Sequence, residues 1–425
     1  MRRLRRRWWL GLVWALSSGC GDDGGEEASA GEEASAGEEA GEVGEVEAPD
    51  ERPNVVLVVL ESMRWDAATP YAPALPTTPF LERFAADNVR VETIYTVVPH
   101  TTKALVPIHC GRYPAISKAI VETAPGALGR GCLAARLAAA GYATFFIQPA
   151  REGFENRSGL VANFGFKEFA GKESLPSAGF DESSYFGFED DIMLGPALAW
   201  VEAQEGPFFL AVLTLTAHHD YTAPAGFATQ HFVDDPVQND YLNAVAYTDR
   251  FVEKLHLGLD ALGVLEETIV VVVGDHGEAF GEHGRFQHDN VIWEEGLRVP
   301  LLIGGPGVGP PGRVIEGLFQ TIDVAPTLAT LLGLTPTAED ALGVDLLRSD
   351  GHERLFFSCW ADERCLAMRE GARKAIHHFG ALPDEVFDLV ADPREKSNVI
   401  AVGDNQAFAT SAIAAMFAWA MMTLF

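Results

Sequence analysis

Residues 55–60 (VVLVVL) form an unbroken apolar run of strand length, four of its six members Val, which fits a strand buried on both faces of a parallel sheet. Three later stretches repeat the pattern. Residues 144–147 follow the helical spacing of LAARLAAAGYA, residues 208–215 follow the helix around LAWVEAQ, and residues 268–273 follow the helix around YTDRFVEKLHLGLDALG. Strands alternating with helices predict a doubly wound α/β sheet covered by helices on both sides. A chain of 425 residues exceeds what one hydrophobic core usually holds, so one large α/β domain with an appendage, or two domains, is expected.

In sheets of this kind chemistry gathers beyond the carboxyl ends of the strands. Glu61, Gln148, His218 and the pair Asp275-His276 each stand just past a predicted strand. One carboxylate at such a place is ordinarily a solvated loop acid, and one His is ordinarily structural. Several at separate strand ends point to a metal, since Asp275-His276-Gly277 joins a hard oxygen to an imidazole at a tight turn. The Gly-rich loop from Glu282-His283-Gly284 to His288 adds further imidazoles. The segment Pro99-His100-Thr101-Thr102-Lys103 reads as a loop entering a helix. A Thr there can simply cap the helix, or the positive helix end can hold an anion. A Thr hydroxyl becomes an accessible nucleophile at neutral pH when a divalent cation lowers its pKa.

Composition changes this picture at the start of the chain. MRRLRRR, WWLGLVWAL and SSGC are the basic, apolar and small-residue parts of an export signal, and the apolar part is too short to span a bilayer. The signal ends at Cys20 and resembles a bacterial lipoprotein site, although Ser17 stands where such signals usually carry Leu. Simple secretion and an uncleaved anchor are the alternatives. Residues 21–50 then hold twelve acids, no base and two copies of EEASAG, a composition expected to stay a self-repelling tether. Residues 1–20 are thus expected to be the signal and 21–52 an acidic linker, giving a periplasmic or cell-surface lipoprotein that meets the membrane through a lipid anchor. With 26 bases against 49 acids, residues 51–425 keep a net charge of −23, which argues against nucleic acid as a partner. An anionic substrate would need a locally concentrated cation. The even set Cys110, Cys132, Cys359 and Cys365 suits two disulfides in an exported protein, most simply Cys110 with Cys132 and Cys359 with Cys365. Spacing leaves that connectivity open, and four buried thiols are the alternative.

The ordered set PNVVLVVLESMRWD, TTPFLERFA, TTKALVPIHCGRYP, VVVGDHGEAFGEHG, WEEGLRVPLLI, TIDVAPTLATLLG and EVFDLVADPREKSN resembles the sulfatase branch of the alkaline phosphatase superfamily over about residues 53–400. The resemblance implies an α/β sandwich around a central, mostly parallel sheet (53–345). A smaller C-terminal α+β subdomain (346–425) follows, its last apolar stretch a closing helix rather than a membrane span. Formylglycine sulfatases carry a Cys or Ser in C/S-x-P-S/A-R ten residues before the Gly of G-R-Y-P. Here that count from Gly111 lands on Thr101, and the Pro and Arg are missing. Glu61-Ser62 likewise replaces the family's paired Asp residues. Both departures resemble the lipoteichoic acid synthase and phosphoglycerol transferase group, in which a Glu, a Thr and an Asp-His pair bind one divalent ion, commonly manganese.

Carried onto this sequence, the resemblance implies that Glu61, Thr101, Asp275 and His276 bind one divalent metal ion, Mn foremost, with Zn, Mg and Ca as alternatives. Thr101 would attack phosphorus, with Thr102 as the alternative nucleophile. His218, or its neighbour His219, would lie near the leaving oxygen. His288 falls where sulfatases have a substrate-binding Lys. Arg157 in GFENR would grip the phosphate, while Glu155 stands where that group has Trp. The expected activity is phosphoryl transfer, to water or to an acceptor alcohol, on phosphate esters of the phosphodiester or phosphoglycerol class, with lipid headgroups and glycans as candidate carriers. The alternatives are a sulfuric ester hydrolase working without formylglycine and a non-catalytic binding protein that keeps the fold.

Overall fold

The computed structural model describes residues 52–335, 342–360 and 364–423. The export signal and all of the acidic linker except Arg52 lie outside the described residues. All four apolar runs are strands of one eight-stranded sheet. In chain order its strands are β1 (Asn54–Leu60), β2 (Val89–Val91), β3 (Ala143–Ile147), β4 (Glu168–Ala170), β5 (Phe208–Leu213), β6 (Thr268–Gly274), β7 (Leu301–Gly304) and β8 (Val314–Ile315). Across the sheet they run β8-β2-β7-β6-β1-β5-β3-β4. Every neighbouring pair is parallel except those of β7, which is antiparallel to both β6 and β2.

Strand side chains alternate between faces, and both faces of β1 are covered. Val55, Leu57 and Val59 join a core with helices Thr101–Cys110, Leu133–Ala139, Arg157–Phe164 and Val324–Leu331. Val56, Val58 and Leu60 face helices Pro79–Asp87, Leu194–Glu202 and Pro236–Ala261 on the other side. That is why the run has no polar positions. Burying each of these side chains contributes about 1.5–3 kcal/mol.

The C-terminal part is a four-stranded antiparallel sheet of β9 (Arg354–Ser358), β10 (Leu366–Glu370), β11 (Arg373–His377) and β12 (Glu385–Asp388), paired in chain order. One face packs Phe357, Ala367, Ile376 and Phe387 on Tyr95, Ile292 and Trp293 of the larger part. Helix Asn405–Thr423 is long and apolar enough to cross a bilayer. Here it lays Phe408, Ala412, Met416 and Trp419 on the other face, as the closing helix expected from the sequence. The two parts are also joined by the fully buried Lys374, whose Nζ lies 2.9 Å from Glu395 Oε1 and 3.4 Å from Glu294 Oε1. Cys110 is bonded to Cys132 and Cys359 to Cys365, the simplest of the pairings left open by spacing.

Candidate active site

Register brings the first two candidate ligands together. β1 and β6 are adjacent and parallel with Leu60 opposite Gly274, so Glu61 and Asp275 leave the sheet side by side. The turn after β1 is tied to the turn after β6. Ser62 N donates to Asp275 Oδ1 at 2.9 Å, Ser62 Oγ donates to Glu61 Oε1 at 3.1 Å, and Tyr241 Oη donates to Ser62 O at 2.8 Å. These bonds hold Ser62 at φ +54°, a left-handed conformation that costs a non-glycine residue roughly 1 kcal/mol or more. At the other turn His276 Nδ1 lies 2.9 Å from the Gly277 carbonyl, which orients Nε2 toward Glu61 Oε1 at 3.5 Å and Asp275 Oδ2 at 3.4 Å. Gly277 is required there: a Cβ on it would sit 1.9 Å from Glu295 O. Gly277→Ala is therefore expected to destabilise the fold by about 2–4 kcal/mol, read as a lowered denaturation midpoint with unchanged slope.

Thr101 arrives from a third element. It is the first residue of helix Thr101–Cys110, His100 takes the N-cap position, and no side chain caps the helix. The sequence reading of a Thr as a simple cap is thus corrected. Thr101 Oγ1 instead lies 3.2 Å and 3.3 Å from the two Glu61 carboxylate oxygens and 3.3 Å from His276 Nε2. Thr102 turns elsewhere, its Oγ1 donating to Glu155 Oε2 at 2.6 Å.

Among the described residues Glu61, Asp275 and His276 are the only group of three or more His, Cys, Asp or Glu side chains close enough to share an ion. Burial, followed by the charge of Asp275, pushes the Glu61 carboxyl up to about 8, and burial pushes Asp275 up to about 7. Burial and then the neighbouring His288 push His276 down to about 4. Asp275 Oδ2 is buried without a hydrogen bond among the described residues. Two close carboxylates repel by about 4 kcal/mol at an effective dielectric near 20. A donor set of two carboxylates, one oriented imidazole nitrogen and one hydroxyl, with an orphaned oxygen among them, fits a divalent cation.

The remaining predicted residues surround this cluster unequally. The His288 ring centre is 4.3 Å from that of His276 and 5.5 Å from that of His218, while Nδ1 of His288 lies 3.1 Å from Glu278 Oε2. Burial lowers both His288, to about 4, and His218, well below the usual imidazole range. Arg157 is buried, its Nε and Nη1 have no hydrogen-bond partner among the described residues, and it acts electrostatically on Glu61, Asp275 and Glu155. His219 is half-buried, with its ring 5.9 Å from His288. Three other residues singled out in the sequence serve structure. Gln148 donates to the Ala150 and Arg151 carbonyls, Glu282 pairs with Arg64, and His283 stacks on Trp293 between Glu295 and the Glu395 carbonyl. Of the Gly-rich loop's imidazoles, only His288 reaches the cluster.

Sequence reasoning missed a second circuit. His100 Nδ1 lies 3.2 Å from Asp289 Oδ1 and Nε2 lies 3.1 Å from Glu155 Oε2, while its ring stacks at 3.5 Å on Trp360. Trp360 comes from the C-terminal subdomain, beside the bonded Cys359. Adjacency to Thr101 was the only sequence signal for His100, and none pointed to Trp360.

Residues 53–334 match the Sulfatase family. The chain belongs to that family. This sulfatase-family protein is 26% identical over 419 residues to the ulvan-active sulfatase of Formosa agariphila, across 84% of this chain and 79% of the relative. It is also 26% identical over 333 residues to lipoteichoic acid synthase 2 of Bacillus subtilis, across 72% of this chain but 49% of that longer protein. The phosphonate monoester hydrolase of Agrobacterium radiobacter shares the fold, with TM-score 0.69 and 19% identity over 88% of this chain and 96% of its own. Membership makes the sulfatase-family protein an ester hydrolase of the alkaline phosphatase superfamily, with the α/β fold and C-terminal antiparallel sheet that the resemblance implied.

Proposed function

We propose that this protein transfers phosphoryl groups from phosphodiesters, with Thr101 as nucleophile and one divalent cation held by Glu61, Asp275, His276 and Thr101. The observation that carries this reading is the Thr101 hydroxyl, set 3.2–3.3 Å from both the Glu61 carboxylate and His276 Nε2 at the start of a buried helix. The cation, manganese foremost, would supply Lewis acidity and offset the charge of the two carboxylates against an anionic substrate. Arg157, buried and lacking partners at two nitrogens among the described residues, binds a phosphoryl oxygen. The helix N-terminus behind Thr101 adds a positive pole to the same oxygens.

In this reading Thr101 Oγ1 bonds to phosphorus as one alcohol departs, and water or an acceptor alcohol then releases the phosphorylated threonine. Thr101 loses a proton and the departing alkoxide gains one. His218 and His288, whose basicity burial lowers, would relay it. Similarity to a teichoic-acid synthase supports a phosphorus ester, and the missing formylglycine motif weighs against the usual sulfatase route. Cleavage at Cys20 and lipid attachment there would place the enzyme on the outer side of a membrane, near lipid headgroups and glycans.

The test is a panel of aryl phosphodiesters, phosphate monoesters, phosphonates and sulfate monoesters presented to the metal-loaded protein. Phosphodiesters are expected to give the highest kcat/KM. A preference for sulfate monoesters would replace this reading with sulfuric ester hydrolysis that needs no formylglycine.

A further inference from the structure

We infer that Trp360, a residue of the C-terminal subdomain, is a positioning residue for the reaction: its ring holds His100 in the orientation that ties together the segments bearing Thr101, Arg157 and His288. The roles of those three residues rest on the phosphoryl-transfer reading.

His100 is the meeting point of three stretches that lie far apart in the chain. It directly precedes Thr101 and takes the N-cap position of the helix, where its carbonyl accepts from Ala104 N at 2.8 Å. Its Nε2 lies 3.1 Å from Glu155 Oε2, two residues before Arg157, and its Nδ1 lies 3.2 Å from Oδ1 of Asp289, the residue after His288. Glu155 Oε2 also accepts from Thr102 Oγ1 at 2.6 Å, so one carboxylate grips both neighbours of Thr101. Glu155 and Asn156 stand at φ +48° and +53°, left-handed conformations that a non-glycine residue keeps only where its surroundings fix it. They lead the chain directly into Arg157.

Two hydrogen bonds in the plane of an imidazole leave the ring free to tilt about the line that joins the bonded atoms. A neighbour lying flat on the ring removes that freedom. Trp360 is such a neighbour, with ring centres 3.5 Å apart and planes within 16° of each other. The plate is anchored on both sides of His100. Ser358 N donates to Val97 O at 3.1 Å, just ahead of His100 in the chain, and Trp360 N donates to Asp289 O at 2.9 Å. Cys359, between them, is bonded to Cys365, and its N donates to Cys365 O at 3.1 Å. Trp360 Nε1 is buried with no hydrogen-bond partner among the described residues, so the indole serves through its face and not through its N–H.

The experiment is a double-mutant cycle of Trp360→Ala and His100→Ala on the metal-loaded protein, with whichever aryl ester the parent turns over fastest. Each single substitution is expected to lower kcat by about ten- to a hundredfold with KM within about threefold, because misplaced groups lose rate before they lose binding. The double variant should lose no more than His100→Ala alone, since Trp360 acts through His100. A general loosening of the fold would multiply the two losses instead. Trp360→Phe and Trp360→Leu separate a flat face from apolar bulk: Phe is expected to restore kcat to within about threefold of the parent, and Leu is not. That comparison decides the matter should Trp360→Ala fail to fold. Multiplied losses, parent kcat in Trp360→Ala, or equal kcat in the Phe and Leu variants overturns the inference. A parent that prefers sulfate monoesters overturns the phosphoryl-transfer reading alone, because the same cycle run on that ester still decides the role of Trp360. A parent inactive on every ester overturns both.

Discussion

Thr101→Ala is expected to lower kcat/KM for an aryl phosphodiester by about four orders of magnitude while leaving the thermal midpoint close to that of the parent. The loss is large because the hydroxyl is the only group at the helix start that touches both Glu61 and His276. Stability should hold because that hydroxyl caps no backbone N–H. Thr102→Ala is the matched comparison. Its hydroxyl donates to Glu155 rather than into the cluster, so a loss within about tenfold is expected. Steady-state kinetics on the two purified variants decide the matter. Near-parent turnover by the Thr101 variant, with loss in the Thr102 variant, would reassign the nucleophile.

Removal of the cation should abolish turnover and change how stability depends on pH. Without a cation, Glu61 and Asp275 have native pKa values near 8 and 7, above their ordinary values of 4.5 and 3.8. The native state then binds more protons than the unfolded chain, and stability falls as pH rises through those values. The depressed His276 and His288 act in the opposite sense between about pH 4 and 6.5, because there the unfolded chain binds the extra protons. The net decline therefore belongs to about pH 6.5–8. A cation held by the same oxygens keeps them ionised, so the metal-loaded protein should lose this part of the slope. Binding stabilises by about 3 kcal/mol at a hundredfold excess over Kd. Thermal melts of chelated and Mn²⁺-loaded protein at pH 6.5 and 8 should diverge more at pH 8. Equal spacing at both values would argue that Glu61 and Asp275 do not hold the ion.

Much of the site was legible one strand end at a time. Glu61, His218 and Asp275-His276 stood out because an apolar run ends and a polar side chain follows, and parallel strands present such residues at one edge. The same rule also selected Gln148, whose amide bonds the adjacent loop carbonyls and stays out of the cluster. Thr101 emerged from motif spacing, yet its hydroxyl could equally have capped its helix. Only the position of Glu61 opposite that helix start decides between these uses. His283 shares the Gly-rich loop of His288 and is instead stacked on Trp293.

The sequence alone determined the α/β class, the buried central strands, the family, and the residue types able to hold a cation, because burial on two faces and short motifs leave local marks along a chain. Tertiary structure decided the rest. The pairing of Leu60 with Gly274 sets Glu61 beside Asp275, helix packing turns Thr101 and Thr102 to different partners, and the C-terminal sheet delivers Trp360 to His100. Strand register and the approach of distant elements arise from packing over the whole core, and no local stretch of sequence carries them.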